Sequence, residues 1–170
     1  MQKPLPTEHN PYFKKYIDLV SEGNFLKALS ENTTTAIKFF ESLPKEKHNY
    51  KYAADKWTVK EVLMHITDTE RVMSYRMLAA VRGDNNSPMP SMDENLYAKN
   101  VDVSKRTLED LLSEFKAVRF ATEKIVENTT EEQSKLMANT VSHPVSARAL
   151  AYIIIGHVLH HMNVIKERYL

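Results

Sequence analysis

The sequence contains no cysteine among its 170 residues. A chain without thiols cannot form disulfides, bind a metal ion through thiolate sulfur, or supply its own thiol nucleophile. Any thiol chemistry at this protein would therefore need a thiol that comes from outside the chain.

Glycine is also scarce, with three residues in the whole chain, whereas average sequences contain about 7% glycine. So few glycines disfavour folds rich in tight hairpins and loops that cradle phosphate groups. The sequence has no glycine-rich nucleotide-binding motif. Its glycines and prolines lie mostly between long periodic segments, which is typical of a helical bundle.

No charge of one sign dominates, because 23 lysines and arginines balance 22 aspartates and glutamates. Without a strong overall field, the composition gives no indication of nucleic acid or an anionic membrane as a partner. No run approaches the roughly 18 apolar residues of a membrane span, and the N-terminal stretch MQKPLPTEHNPYFKKYIDLV lacks the apolar core of a signal peptide. We therefore expect a soluble cytoplasmic protein.

The hydrophobic content of 42% and the charged content of 26% are typical of one globular domain, which would span residues 1–170. Apolar residues recur at three- and four-residue steps in long segments. These segments predict an all-α four-helix bundle with helices from Phe25 to Leu43, from Thr58 to Arg82, from Thr107 to Asn128, and from Ser146 to the last residues. The first of them is the weakest prediction, because residues 32–35 (NTTT) have poor helix propensity.

The connection between the second and third predicted helices is long and polar, with two prolines and no sustained period (DNNSPMPSMDENLYAKNVDVSKRT, residues 84–107). Connections of this length are usually functional or disordered in compact domains. A crossover of this kind is also what a bundle with non-alternating helix directions requires. A short extra turn is predicted from Glu131 to Met137.

Three of the seven histidines lie in one stretch of five residues inside the last predicted helix, within the sequence GHVLHHMNVIKERY. The apolar seam of that helix runs through Leu150, Ile154, His157, His161 and Val164, at steps of four and three residues. His157 and His161 therefore face the bundle interior one turn apart, whereas His160 lies about 60° to one side. A His-x-x-x-His pair on one helical face is the arrangement by which two imidazoles reach one metal ion.

A third ligand would have to come from another helix. His65 is the other histidine within a strongly amphipathic segment, because His9 and His48 lie in polar, proline-flanked stretches and His143 precedes a proline. Arg76 follows His65 by eleven residues and points in a direction about 20° away, roughly 16 Å further along the helix. The alternative interpretation is that Arg76 forms an ordinary salt bridge at the rim of the bundle.

The segments WTVKEVLMHITDTER and GHVLHHMNVIKERY, in this order and at this spacing, resemble the DinB/YfiT-like superfamily of metal-dependent enzymes. The resemblance implies a four-helix bundle of up-down-down-up topology with a long crossover. It also implies that His65, His157 and His161 are metal ligands. The resemblance further implies a metal-dependent activity, because the members with assigned activities use metal for low-molecular-weight thiol transfer or isomerisation, whereas other members are described as hydrolases.

These observations predict a metal-dependent enzyme that acts on a small molecule, as a thiol-dependent S-transferase or as a hydrolase. Zinc or nickel is the expected ion, with water or a low-molecular-weight thiol cosubstrate at its open position. Arg76 is the candidate catalytic side chain outside the ligand set. Residues 93–95 of the crossover (Asp93, Glu94 and Asn95) are candidates for orienting the substrate.

Two alternatives remain open from the sequence. The first is a non-catalytic or stress-associated bundle with a structural metal, closed by a fourth ligand such as His160, Asp68 or Glu70. The second is a metal-free bundle in which the histidines are hydrogen-bonded core residues. A homodimer is a further expectation, with exposed aromatic residues as its candidate surface: Tyr50, Tyr52 and Tyr97.

Overall fold

The structure, a computed structural model, describes residues 1–140 and 143–170. Within them the helices are α1 (Lys14–Ile17), α2 (Phe25–Glu41), α3 (Val59–Val81), α4 (Glu94–Asn100), α5 (Leu108–Glu127), α6 (Glu131–Ser134) and α7 (Ala147–Arg168), and the strands are β1 (Met137–Ala138) and β2 (Val145–Ser146). The four long helices α2, α3, α5 and α7 correspond to the four predicted ones. The predicted all-α bundle is therefore confirmed.

The helix boundaries follow the predicted capping residues. At the start of α3, the Thr58 hydroxyl accepts a hydrogen bond from the Glu61 N–H at 3.1 Å, and the Glu61 carboxylate accepts one from the Thr58 N–H at 2.6 Å. At the start of α7, the Ser146 hydroxyl accepts from the Ala149 N–H at 3.1 Å. Gly83 follows α3 with a φ of 78°, a left-handed conformation that favours glycine and ends the helix.

Helix α2 continues through the poor helix formers at residues 32–35. Its N-terminus is capped by the Asn24 side chain, which accepts a hydrogen bond from the Lys27 N–H at 3.1 Å. Its apolar face is buried at Phe25, Leu29, Ala36 and Phe40. Burial of this face outweighs the intrinsic propensity, which spans only about 0.7 kcal/mol per residue.

Helices α3 and α5 run in the same direction. Met64 contacts Arg106 near the start of both helices, and about two turns later Arg71 forms an ion pair with Glu114. Two consecutive long helices that run parallel need a connection that returns along the bundle. The long segment between α3 and α5 supplies it.

The apolar core is divided into two clusters by a polar layer at mid-height. One cluster contains Phe25, Met77 and Leu150, and the other contains Phe40, Leu63, Phe115 and Ile165. Between them, each long helix contributes a buried polar side chain: Asn32, Glu70, Arg119 and His157. In the described part of the chain, no helix has the length and apolarity needed to cross a membrane.

Residues 1–24, for which no helix is predicted, contact α7 through Glu8 and α1, and their first residues contact Glu131 of α6. Two turns of 3-10 helix, Pro6–Glu8 and Pro11–Phe13, lead into α1. The Glu8 carboxylate fixes this N-terminal segment, because it accepts hydrogen bonds from the Arg148 side chain, at 2.7 Å from Nε, and from the Ser146 hydroxyl at 2.9 Å. The segment escapes sequence-based prediction because its turns are too short to show a period.

The connections contain more regular structure than predicted. The crossover, expected to have no periodic element, contains the short helix α4, whose first turn is capped by the Asp93 side chain accepting from the Leu96 N–H at 2.9 Å. The extra turn predicted from Glu131 to Met137 is present but ends at Ser134. Met137 instead begins β1, which pairs antiparallel with β2.

Two of the three aromatic residues proposed as a dimer surface pack against their own chain. The rings of Tyr50 and Tyr52 stand edge-on to the ring of Tyr169, with centroid separations of 6.1 Å and 5.0 Å. Each keeps more than a third of its surface exposed, as does Tyr97. The homodimer stays a prediction.

Candidate metal centre

His65 of α3 and the pair His157 and His161 of α7 converge at one point in the bundle. Their ligand atoms lie within 4.8 Å of one another. The Nε2 atom of His157 is 3.1 Å from Nε2 of His65 and 3.0 Å from Nε2 of His161. The structure therefore brings together the three histidines that the sequence predicts as ligands.

The opposed directions of α3 and α7 produce this convergence. Contacts between the two helices run in reverse order, since Trp57 meets Tyr169 whereas His65 meets His157. The indole ring of Trp57 also packs on the His65 imidazole, at 4.7 Å between centroids. On α7, the four-residue spacing of His157 and His161 directs both rings towards α3.

Burial keeps the three imidazoles neutral. Desolvation, followed by the nearby His160, lowers the pKa of His65 to about 4. Desolvation and then the neighbouring histidines lower the pKa of His161 to about 3, and the same causes hold the pKa of His157 well below its ordinary value. Neutral imidazole is the form that ligates a metal ion, so the cluster is ready to bind one at neutral pH.

Hydrogen bonding within the cluster leaves polar atoms unsatisfied. Nδ1 of His65 is buried and has no hydrogen-bond partner. The Nε2 atoms of His65 and His161 both face the same Nε2 atom of His157, which carries at most one proton or one lone pair. Ligands of a tetrahedral zinc ion are separated by about 3.3 Å, given Zn–N distances of about 2.0–2.1 Å. The donor atoms and their spacing therefore fit a divalent ion.

The residues proposed as a fourth, closing ligand are used elsewhere. Both carboxylate oxygens of Glu70 accept hydrogen bonds from Arg119, at 2.7 Å and 2.8 Å, and Asp68 accepts one from Arg71 at 2.9 Å. His160 does not belong to the group of converging ligand atoms. Its ring packs edge-on to His161 instead, at 5.1 Å between centroids.

Tyr16 of α1 is a neighbour of the cluster that the sequence does not predict. Its ring stands edge-on to the rings of His157 and His160, at 5.4 Å and 5.3 Å between centroids. Gly156 permits this approach, because a Cβ atom added there would lie 2.0 Å from the Tyr16 carbonyl oxygen. A glycine inside an otherwise apolar helix is the signal that could have revealed this close contact.

Two cavities reach the histidine cluster from different sides. The first cavity, of about 880 Å³ including its mouth, is lined by Tyr16, Thr69, Met73, Arg76, Glu94 and His157 among others. The second cavity, of about 670 Å³ including its mouth, is lined by Trp57, Asn95, His160, His161 and Tyr169 among others. Of the predicted ligands, His157 therefore borders the first cavity and His161 the second, whereas His65 lines neither.

Arg76 lies in the wall of the first cavity and is buried, with 8% of its surface exposed. Its guanidinium donates a hydrogen bond to the Pro90 carbonyl oxygen at 2.5 Å and approaches the Met73 sulfur at 3.8 Å. Among the residues that the structure describes, no carboxylate forms an ion pair with it, so the predicted alternative of a rim salt bridge does not hold there. Desolvation lowers the pKa of Arg76 below its ordinary value.

The three crossover residues proposed to orient a substrate have different surroundings. Asp93 caps α4, which occupies one of its carboxylate oxygens. Glu94 lines the first cavity, and the next residue, Asn95, lines the second. Helix α4 therefore contributes to both cavities, and the roles of these three residues stay predictions.

The family model of the DinB superfamily matches residues 28–165. This range covers most of the sequence and includes all three histidines of the cluster. The chain therefore belongs to the DinB superfamily. No curated protein matches the chain by sequence.

Several solved structures share the fold. YfiT from Bacillus subtilis, described as "a probable metal-dependent hydrolase with an unusual four-helix bundle topology", is 17% identical, with a TM-score of 0.67 over 97% of this chain and 90% of its own. The DinB-like protein YjoA from Bacillus subtilis is 19% identical, with a TM-score of 0.59 over 85% of this chain and 88% of its own.

A mycothiol-dependent maleylpyruvate isomerase is also similar. It is 13% identical to this chain, with a TM-score of 0.62. The alignment covers 94% of this chain but only 62% of the isomerase. At these identities, all three likenesses show a shared fold.

Proposed function

We propose that this member of the DinB superfamily is a metal-dependent enzyme that acts on a small molecule. One observation carries the proposal: two buried imidazoles and one half-buried imidazole, all neutral, converge through their Nε2 atoms, and two cavities border this cluster at His157 and at His161. His65, His157 and His161 would hold the ion, with zinc or nickel as the expected metals. A divalent ion bound there supplies Lewis acidity and lowers the pKa of a water molecule or thiol beside it.

The reaction we propose is thiol-dependent S-transfer or hydrolysis. The chain has no cysteine, so a thiol nucleophile would come from a low-molecular-weight cosubstrate. Support comes from the neighbours in fold, of which one is described as mycothiol-dependent and another as a probable hydrolase. The two cavities would admit the nucleophile and its partner from different sides of the histidine cluster.

The chain's own residues would position the reactants. Trp57 packs on His65 and Tyr16 on His157, so aromatic rings hold two of the three imidazoles and shield them from water. Arg76 would orient the substrate in the first cavity. Fixed ligands and a low-dielectric surrounding are the protein's contribution to catalysis at sites of this kind.

A structural metal in a non-catalytic bundle is the competing proposal. Such a site is closed by a fourth protein ligand. Glu70 and Asp68 are bound to arginines, and His160 is directed elsewhere, which favours an open site.

Metal analysis tests the ligand assignment. Protein purified without an affinity tag should contain close to one equivalent of divalent metal, and the His157→Ala/His161→Ala double variant should lose it. The His160→Ala variant is the matched control on the same helix and should keep its metal. An unchanged metal content in the double variant would rule out His157 and His161 as metal ligands.

Turnover tests the enzymatic proposal. We expect metal-dependent consumption of a low-molecular-weight thiol with a panel of electrophiles, or metal-dependent hydrolysis of small esters and amides. Both activities should disappear in the His65→Ala variant. Stoichiometric metal without any metal-dependent turnover would favour the structural site.

A further inference from the structure

We propose that the first cavity binds the anionic end of an elongated small molecule, a carboxylate or a phosphate, against the guanidinium of Arg76. The proposal rests on the proposed function in one respect, namely that the other end of the same molecule reacts at the histidine cluster. The anion site itself is defined by residues of the cavity and requires no metal.

The first step of the argument is the charge of Arg76. An arginine that keeps only 8% of its surface exposed and has no counter-charge is costly for a fold. The Pro90 carbonyl and the Met73 sulfur engage only part of its N–H donors and carry no negative charge. Within the described residues the guanidinium therefore lacks a neutralising partner, and a bound anion would supply one.

The second step is the position of that guanidinium. It lines the same cavity as His157, so a molecule in this space can contact both. Arginine suits carboxylate and phosphate groups because its planar fork donates two parallel hydrogen bonds. Glu94, the acidic residue among the described lining residues, is exposed and does not form an ion pair with Arg76.

The third step is the length of the ligand. His65 and Arg76 lie eleven residues apart on α3, which places their Cα atoms about 16 Å apart. Because side chains on a helix lean towards its N-terminus, the Arg76 guanidinium reaches back towards the cluster and shortens this gap. A molecule that contacts both groups is therefore longer than a two- or three-carbon acid.

The fourth step is the lining between the two ends. Met73, Leu150 and Ile153 line the first cavity and are apolar, whereas Thr69 adds one hydroxyl. An apolar chain would bury against these side chains at a gain of roughly 25 cal/mol per Å². The expected ligand class is a small molecule with an anionic end and an apolar middle portion.

Calorimetric titration of the metal-free protein tests the anion site. The probes are hexanoate, hexyl phosphate and the neutral hexanamide. We expect at least one of the two anions to bind about ten- to a hundredfold more tightly than the amide, since hydrogen bonds to charged groups contribute about 1.5–3 kcal/mol. The more tightly bound anion identifies carboxylate or phosphate as the natural group.

Variants assign the preference to Arg76. Arg76→Gln should abolish the difference between anion and amide, and Arg76→Lys should keep part of it because the charge remains without the planar fork. Arg82→Gln, the same substitution at an exposed position beyond α3, should leave it unchanged. Circular dichroism verifies that each variant is folded. Equal binding of acid and amide by the wild-type protein, or an intact preference in folded Arg76→Gln, would overturn the proposal.

A second titration tests the link to the histidine cluster. In zinc-loaded protein, 6-mercaptohexanoate should bind at least about tenfold more tightly than hexanoate or 3-mercaptopropionate, because it alone can engage both ends. Equal affinities would refute the span while leaving the anion site. Conversely, if the protein binds the anion but cannot be loaded with a divalent metal, the proposed enzyme is refuted while the anion site at Arg76 stands.

Discussion

Arg119 and Arg76 are both buried arginines in one bundle, and their surroundings differ completely. Arg119, with 0% exposure, forms two hydrogen bonds to Glu70 and a third to the Asn32 side chain at 2.8 Å. Arg76 contacts a carbonyl and a sulfur but forms no ion pair in the described part of the chain. The first arginine is neutralised within the fold, and the second is left available to a ligand.

The same contrast divides the polar layer between the two apolar clusters. On one side, Arg119, Glu70 and Asn32 join α5, α3 and α2 through direct hydrogen bonds, with the Asn32 amide nitrogen as the one unpaired buried atom identified there. On the other side, the histidines face one another with too few protons and acceptors to satisfy them all. The polar groups are hydrogen-bonded to one another on one side of the layer, whereas on the other side they cannot all be satisfied at once. We infer that the paired side stabilises the fold and that the histidine side binds a ligand.

The largest predicted effect on the free energy of unfolding comes from removing the ion pair between Arg119 and Glu70. Arg119→Met leaves the Glu70 carboxylate buried without its partner and should lower the free energy of unfolding by about 3–5 kcal/mol. Arg76→Met removes an unpaired buried charge and should cost less than about 1 kcal/mol or even stabilise. Urea unfolding of the metal-free proteins measures both, with Arg82→Met as the exposed control. Equal losses for Arg119→Met and Arg76→Met would contradict the view that Arg119 is neutralised within the fold and Arg76 is not.

The second prediction concerns metal and the histidine side. Zinc at a free concentration of a hundred times its dissociation constant should raise the free energy of unfolding by about 2.7 kcal/mol. The His157→Ala/His161→Ala variant should gain nothing from zinc. The Glu70→Gln variant, altered on the paired side, should still gain the full amount from its lower starting stability. If zinc fails to stabilise Glu70→Gln, the two sides are not independent.

The third prediction concerns the backbone contact between α1 and α7. In an open helix, Gly156→Ala would stabilise by about 0.5–1 kcal/mol. Here the added Cβ collides with the Tyr16 carbonyl, so the free energy of unfolding should instead fall by about 1–3 kcal/mol. Thermal and urea unfolding give the sign directly. A stabilised Gly156→Ala variant would show that α1 does not press on the helix beside His157.

The sequence predicts the features that depend on local spacing. The four long helices follow from their apolar periods and caps, and His157 and His161 are paired by a four-residue step on one helix. His65 required a further argument, since its partner helix is distant in sequence. The ion pair between Glu70 and Arg119 is out of reach for the same reason, because nothing in either local pattern shows that the two residues meet.

The N-terminal segment was missed for a different reason. Its elements are single turns whose stability comes from contacts with α7, through Glu8, Tyr16 and the space left by Gly156. Periodicity cannot detect turns of this length. Because this segment supplies part of the wall of the first cavity, the missed residues are also those that shape the candidate site.

The smallest predicted effect tests that wall. Burial alone would raise the pKa of Glu8, but hydrogen bonds from Arg148 and Ser146 and the charge of Arg148 outweigh it and lower the pKa. The carboxylate therefore stabilises the folded state above its unfolded pKa of about 4.3, and this contribution is lost as the pH falls through the lower folded value. Glu8→Gln should cost about 1 kcal/mol at pH 7.

Measurement at several pH values separates this charge effect from a simple loss of packing. The difference in free energy of unfolding between wild type and Glu8→Gln should be full at pH 7 and shrink below about pH 4, because the wild-type carboxyl is then protonated as well. A difference that stays constant with pH would show that Glu8→Gln lowers the free energy of unfolding through altered packing and not through the lost charge. Anion binding in the first cavity should weaken in Glu8→Gln, because the cavity wall loosens. The ion pair between Arg119 and Glu70 should be unaffected, so Arg119→Met should destabilise Glu8→Gln as much as it destabilises the wild type. An unaltered first cavity in a destabilised Glu8→Gln would mean that the N-terminal segment stabilises the bundle without shaping the site.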